Sequence, residues 1–206
     1  MKRCIVIGSM PVEIPLKKLI KAGDFIFCAD GGYLEAKKQG ITPNMIVGDF
    51  DSSEKPTDTQ AFVLALPAEK DDTDTYYIAR HIVENNFTDA LFCGVTGGRL
   101  EHTIANLQML KFLAANRVNA TIMDKTSQIM VLTDGKILLP PMENKYFSIF
   151  SMNEKAEGVS EKGAKYQLDG VEVTNEYPIG ISNEFVGKEV EIQVEKGSLL
   201  LIITDK

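Results

Sequence analysis

Residues 90–102 read Ala-Leu-Phe-Cys-Gly-Val-Thr-Gly-Gly-Arg-Leu-Glu-His. The run 90–95 is apolar almost throughout, as a strand covered on both faces must be. Gly97 and Gly98 break it. From Leu100 to Asn116 apolar residues then return at helical spacing (Leu100, Ile104, Leu107, Leu110, Leu113) with a polar opposite side. Strand, glycine turn and helix make one unit of a parallel sheet, and the pattern repeats upstream. Residues 3–7, 25–29, 45–47, 62–66 and 120–123 are predicted strands; 16–22, 33–39 and 75–85 are predicted helices. Such alternation predicts an α/β domain, doubly wound around a mostly parallel sheet.

Beyond Asp124 the helical pattern stops. Short runs at 128–132, 136–139, 146–150, 164–167, 171–173, 189–194 and 199–204 are predicted strands. Turn signals separate them at Asp134-Gly135, Pro140-Pro141, Asp169-Gly170 and Lys196-Gly197. This predicts an all-β sandwich, so the expected domains are an α/β part over 1–124 and a sandwich over 125–206.

Composition narrows the function. The 206 residues are 44% hydrophobic and 25% charged, which excludes the disordered and fibrous classes. Lys+Arg 22 against Asp+Glu 29 leaves a net charge of -7, a poor match for a nucleic-acid backbone. The odd set of three cysteines, Cys4, Cys28 and Cys93, sits in apolar runs, as buried free thiols of a reducing compartment do. The longest apolar run, 199–203, is far short of a membrane span. The expectation is a cytoplasmic protein with neither nucleic acid nor membrane as a partner.

The chemistry is concentrated where predicted strands end. Ile46-Val47-Gly48-Asp49-Phe50-Asp51-Ser52 sets two carboxylates just past a buried strand, and Lys70-Asp71-Asp72-Thr73-Asp74 precedes a helix. Asp30-Gly31-Gly32 follows the second strand. Ligands of parallel α/β sheets bind outside the carboxyl ends of the strands. Acidic groups converging there call for a hard cation, and Mg2+ suits them because it takes carboxylate oxygens and bridges phosphates. Each cluster also has a plainer reading: Asp72 and Asp74 as helix caps, Asp49 and Asp51 as a turn. Gly97 and Gly98 at a helix start permit close approach of an anion, and Arg99 offers a fork to phosphate oxygens. Together these features point to Mg2+-assisted phosphoryl or nucleotidyl transfer.

In this order and spacing, the chain resembles the bacterial thiamine pyrophosphokinase (thiamine diphosphokinase) family. The likeness rests on Asp30-Gly31-Gly32, Gly48 to Ser52, Lys70 to Asp74, and Thr96-Gly97-Gly98-Arg99 with His102. Gly163-Ala164-Lys165-Tyr166-Gln167-Leu168 and Gly180-Ile181-Ser182-Asn183-Glu184 extend it into the second half. The resemblance implies transfer of pyrophosphate from ATP to the thiamine hydroxyl, giving thiamine diphosphate and AMP. It implies a homodimer whose cleft lies between the α/β domain of one subunit and the sandwich of the other. Asp49, Asp51 and Asp74 would hold Mg2+ and the ATP phosphates, Asp71 would support them, and Asp30 would lie close to the reacting groups. Lys70, Thr96, Gly97, Gly98, Arg99 and His102 would belong to the ATP site, while Ser182 and Asn183 would line the thiamine pocket. Three features depart from the family pattern: Glu101 where aspartate is usual, Gly8-Ser9-Met10 where a Gly-Gly turn is frequent, and the absence of tryptophan. Two rival readings are a haloacid-dehalogenase-like phosphatase using Asp49-Phe50-Asp51, and a non-catalytic nucleotide- or thiamine-binding module.

Overall fold

A computed structural model describes residues 2–50, 55–67, 69 and 71–206. The chain divides into two compact units, Met1–Lys125 and Thr126–Lys206.

In the first unit the strands are β1 (Arg3–Ile7), β2 (Phe25–Ala29), β3 (Met45–Gly48), β4 (Phe62–Ala65), β5 (Asp89–Cys93) and β6 (Asn119–Met123). They lie in the order β6-β5-β1-β2-β3-β4, and every neighbouring pair is parallel. Parallel strands covered on both faces require continuous apolar sequence, and Cys4, Ile5, Val6 and Ile7 on the central β1 are wholly buried. Ile7 stands between Cys28 on β2 and Cys93 on β5. Burial pushes the thiols of Cys4, Cys28 and Cys93 up to about 12, so they stay protonated.

The helices are α1 (Leu16–Leu19), α2 (Gly32–Lys38), α3 (Asp74–Glu84) and α4 (Leu100–Ala115). Helix α1 is shorter than the predicted 16–22, because Ile20 already has extended backbone and Gly23 turns with φ of +89°. The buried stripe of α4 also differs from expectation. It consists of Asn106, Met109, Leu110 and Leu113, whereas Leu100 and Ile104 are 70% and 48% exposed. A polar residue belongs to the buried face because its side chain is used: Asn106 Nδ2 donates to the Val95 carbonyl at 2.8 Å.

The second unit contains β7 (Ser127–Leu139), β8 (Lys145–Ser151), β9 (Lys155–Lys162), β10 (Leu168–Thr174), β11 (Asn183–Glu184) and β12 (Val190–Asp205). Pairing is antiparallel throughout: β10-β9-β12-β7 in order, with β8 joined to both β12 and β11. Phe147, Ile149, Val159, Val173, Ile192 and Leu201 are among its core residues. Two expected turns do not end strands. Asp134 (φ 43°) and Gly197 (φ 114°) adopt left-handed backbone inside β7 and β12, and Gly197 N–H donates to Asp134 Oδ1 at 2.7 Å. The ladder shifts register between Val194 and Ser198 and continues, as at a bulge. Pro140 does terminate β7 at Leu139. Strand β9 is unforeseen, and 164–167 contributes one isolated bridge, Ala164 to Phe185.

The architecture is therefore a mixed set of strands with few helices and a β-rich C-terminal part. Among the described residues, no helix is long and apolar enough to cross a membrane.

Candidate active site

Strand order reverses at β1. The chain steps outward through β2, β3 and β4, then returns to β5 on the opposite side of β1. In sheets of this kind ligands bind outside the carboxyl ends of the strands at such a reversal. Small residues bring the loop backbones together. Gly8 N–H donates to the Cys93 carbonyl at 2.8 Å, and Met10 N–H to the Gly94 carbonyl at 3.0 Å. A Cβ on Gly8 would collide with the Gly94 carbonyl oxygen, and one on Gly94 (φ 69°) would lie 2.6 Å from the Met10 carbonyl oxygen. The loops frame a cavity of about 540 Å³.

Asp30, Asp49, Asp74, Gly98, Arg99 and His102 all line this cavity. Asp30 N–H donates to the Val47 carbonyl at 2.7 Å, and its φ of 44° turns the chain toward α2. Gly48 packs against it so closely that a Cβ there would come within 2.9 Å of Asp30 Cα. Adjacent strand ends thus present Asp30 and Asp49 side by side. Asp74 is the first residue of α3, where a carboxylate meets the positive end of the helix dipole. The cap itself is Thr73, whose Oγ1 accepts from Tyr76 N–H at 3.1 Å. Asp72 pairs with Arg80 at 2.9 Å, so neither aspartate is the helix cap.

Arg99 precedes α4, and its Nε donates to Glu101 Oε1 at 2.5 Å with both side chains exposed. Glu101 is held below the ordinary carboxylate range, first by its own backbone N–H and next by Arg99. Other expected members stand apart from the cavity. Asp71 is exposed and does not line it. Thr96 Oγ1 instead donates to Asp124 Oδ2 at 3.2 Å, and Gly97 supplies a turn with φ of 87°. Asp51 and Lys70 lie outside the described residues. Sequence reasoning missed Ser9, Met10, Thr103 and Asn106 in the lining. A signal existed for two of them, since Arg99, His102, Thr103 and Asn106 fall at helical spacing on one face.

Among the described residues, no three His, Cys, Asp or Glu side chains stand close enough to form a metal site by themselves. The donor chemistry nonetheless fits Mg2+, which takes one or two carboxylates and completes its shell with water and substrate phosphates. Asp30, Asp49, Asp72 and Asp74 provide such oxygens around one cavity.

In the second unit, Ser182 is exposed with φ of 54°, and its N–H donates to Ser148 Oγ at 3.0 Å. Asn183 is buried at 1% exposure, and its amide is used entirely within the unit. Oδ1 accepts from Tyr166 N–H (3.0 Å) and Glu184 N–H (2.9 Å), while Nδ2 donates to the Tyr166 carbonyl and to Glu161 Oε2, both at 2.6 Å. Of the two residues expected to face thiamine, Ser182 lies on the surface and Asn183 behind it.

Comparison with known proteins agrees with this division. Residues 16–122 match the family described as thiamin pyrophosphokinase, catalytic domain, and residues 134–199 match the thiamin pyrophosphokinase vitamin B1 binding domain. The chain is 28% identical over 180 residues to thiamine pyrophosphokinase of Bacillus subtilis (strain 168), covering 84% of each. It is 27% identical over 202 residues to thiamin pyrophosphokinase 1 of Caenorhabditis elegans, covering 91% of this chain and 83% of that one. The crystal structure of the Bacillus subtilis thiamine pyrophosphokinase superposes with a TM-score of 0.91 at 25% identity, over the full length of both chains.

Proposed function

The chain belongs to the thiamin pyrophosphokinase family, and from that premise we propose that it transfers pyrophosphate from ATP to the hydroxyl of thiamine, giving thiamine diphosphate and AMP. The observation that carries this reading is a cavity at the reversal of strand order, lined by Asp30, Asp49 and Asp74 together with Arg99 and His102 at the start of α4. Carboxylates and an arginine around one crevice suit a polyphosphate brought in with its counter-ion.

Asp49 and Asp74, with Asp51, would hold Mg2+, and the bound ion would neutralise charge on the ATP phosphates. Gly98 lets the phosphates approach the loop backbone, with Thr96 and Gly97 shaping that turn and Lys70 adding a positive charge. Arg99 swings from Glu101 to the substrate and stabilises charge developing toward the α-phosphate. His102 completes the nucleotide side. Asp30, which lines the cavity at the β2 end, accepts the proton of the thiamine hydroxyl as it attacks the β-phosphorus. Ser182 contributes to the thiamine surface of the second unit, with Asn183 supporting it from within. The working form is a cytoplasmic homodimer with its site at the subunit interface. Its α/β part is doubly wound, supported by the reversal at β1, and its second part a sandwich, supported by β8 and β11 lying off the main strand path.

The test is incubation of the purified chain with ATP, Mg2+ and thiamine, with separation of the products. Equimolar AMP and thiamine diphosphate are expected, and both disappear with EDTA. ADP would indicate a simple kinase, and inorganic phosphate with an aspartyl-phosphate would indicate a phosphatase.

A further inference from the structure

Glu161 is wholly buried on β9 in the middle of the second unit's apolar core. Its neighbours across the sheet, Ile192 on β12 and Leu168 on β10, are uncharged. Oε2 accepts from Asn183 Nδ2 at 2.6 Å, and Oε1 has no hydrogen-bond partner among the described residues. A carboxylate without a cation in such a place is costly; it is tolerated when protonated, and burial does push this carboxyl up to about 7. An apolar residue would fill the position with less penalty, so the acid needs another explanation.

Its contact supplies one. Asn183 grips both backbone groups of Tyr166 and the N–H of Glu184. Lys165 N–H adds a bond to the Glu184 carbonyl at 3.0 Å, and Ile149 N–H one to the Gly180 carbonyl at 3.0 Å. The segments 163–168 and 180–184 are thereby tied together at one side-chain amide. On the outer side of that tie lie the exposed Tyr166, Ile181 and Ser182. If the Glu161 acceptor were removed, one Asn183 N–H would be left buried and unpaired, and the amide would be driven to turn toward solvent.

We propose that Glu161 is a positioning residue for thiamine: through Asn183 it fixes the relative placement of the Tyr166 and Ser182 segments that receive the vitamin. The inference rests on the thiamine pyrophosphokinase reading of the second unit.

Steady-state kinetics of the full-length chain with ATP, Mg2+ and thiamine tests it. Glu161→Met keeps the volume and apolar surroundings but offers no acceptor. The expected result is a thiamine KM raised about tenfold, with kcat and the ATP KM changed less than about twofold. Glu161→Gln, which keeps an acceptor for Asn183, returns the thiamine KM to within about twofold of the parent. Glu161→Ala serves as a second truncation. A folded Met or Ala variant with the parent's thiamine KM overturns the proposal while leaving the enzyme assignment intact. A parallel change in all kinetic parameters overturns it likewise, as does a Gln variant no better than Met. If both truncations fail to fold while Gln folds, Glu161 is a folding requirement and the proposal is wrong. A parent chain that makes no thiamine diphosphate removes the enzyme reading first, and this one with it.

Discussion

Replacing Glu161 by Gln gives a stability experiment whose sign follows from burial. The carboxyl titrates near pH 7 in the folded chain, against 4.5 for an unperturbed glutamate, because burial disfavours its charged form more than the Asn183 bond favours it. Between these values the folded state holds a proton that the unfolded state has released. Stability therefore falls as pH rises through this window and levels off above it. A difference of this size corresponds to about 2 to 3 kcal/mol lost between pH 5 and pH 8. Glutamine does not titrate, so Glu161→Gln lacks this loss. Urea unfolding should be followed by circular dichroism, since the chain contains no tryptophan. At pH 8 the variant's midpoint for the second unit should exceed the parent's by about 1 M more than at pH 5. Parallel pH profiles for the two proteins, within about 0.5 kcal/mol, would show that the carboxyl is ionised in place and that the burial argument fails.

Three further outcomes are expected. Asp49→Asn should cut AMP formation at least about a hundredfold while leaving the circular dichroism spectrum unchanged; near-parent turnover would remove Asp49 from the machinery. Gly8→Ala places a methyl group against the Gly94 carbonyl, which is backbone and cannot move aside, so it should destabilise by about 2 kcal/mol or more in thermal unfolding. Thr73→Ala removes the Oγ1 acceptor for Tyr76 N–H and should cost about 1 kcal/mol on the same measurement, whereas Asp72→Asn should leave that cap in place.

The parallel half of the fold was legible because its strands, apolar on both faces, repeat one signal. The run from Arg3 to Ile7 and the run from Phe25 to Ala29 coincide with β1 and β2 to the residue. Local chemistry misled where the fold overrode it. Asp134-Gly135 and Lys196-Gly197 have turn composition, yet a ladder continuing on both sides turns each into a bulge. Strand β9, reading Lys-Ala-Glu-Gly-Val-Ser-Glu-Lys, hides its one wholly buried acid among charged neighbours, so no alternation announced it. For the candidate site, strand ends and the glycine turn pointed to Asp30, Asp49, Asp74, Gly98 and Arg99, all of which line one cavity. Asp71 and Thr96 were named by position in a motif, and motif position does not state which way a side chain faces. The inward orientation of Asn183 was illegible for the same reason, because its partners Glu161 and Tyr166 lie 22 and 17 residues away.

The protonated thiols of β1, β2 and β5 give the chain a built-in clock. An alkylating reagent meets Cys4, Cys28 and Cys93 only when the central strands separate, so the labelling rate reports how often this sheet opens. If the adjoining crevice takes ATP as proposed, saturating nucleotide would slow that clock. The second unit carries no cysteine and is silent to the reagent, so its fluctuations never enter the trace.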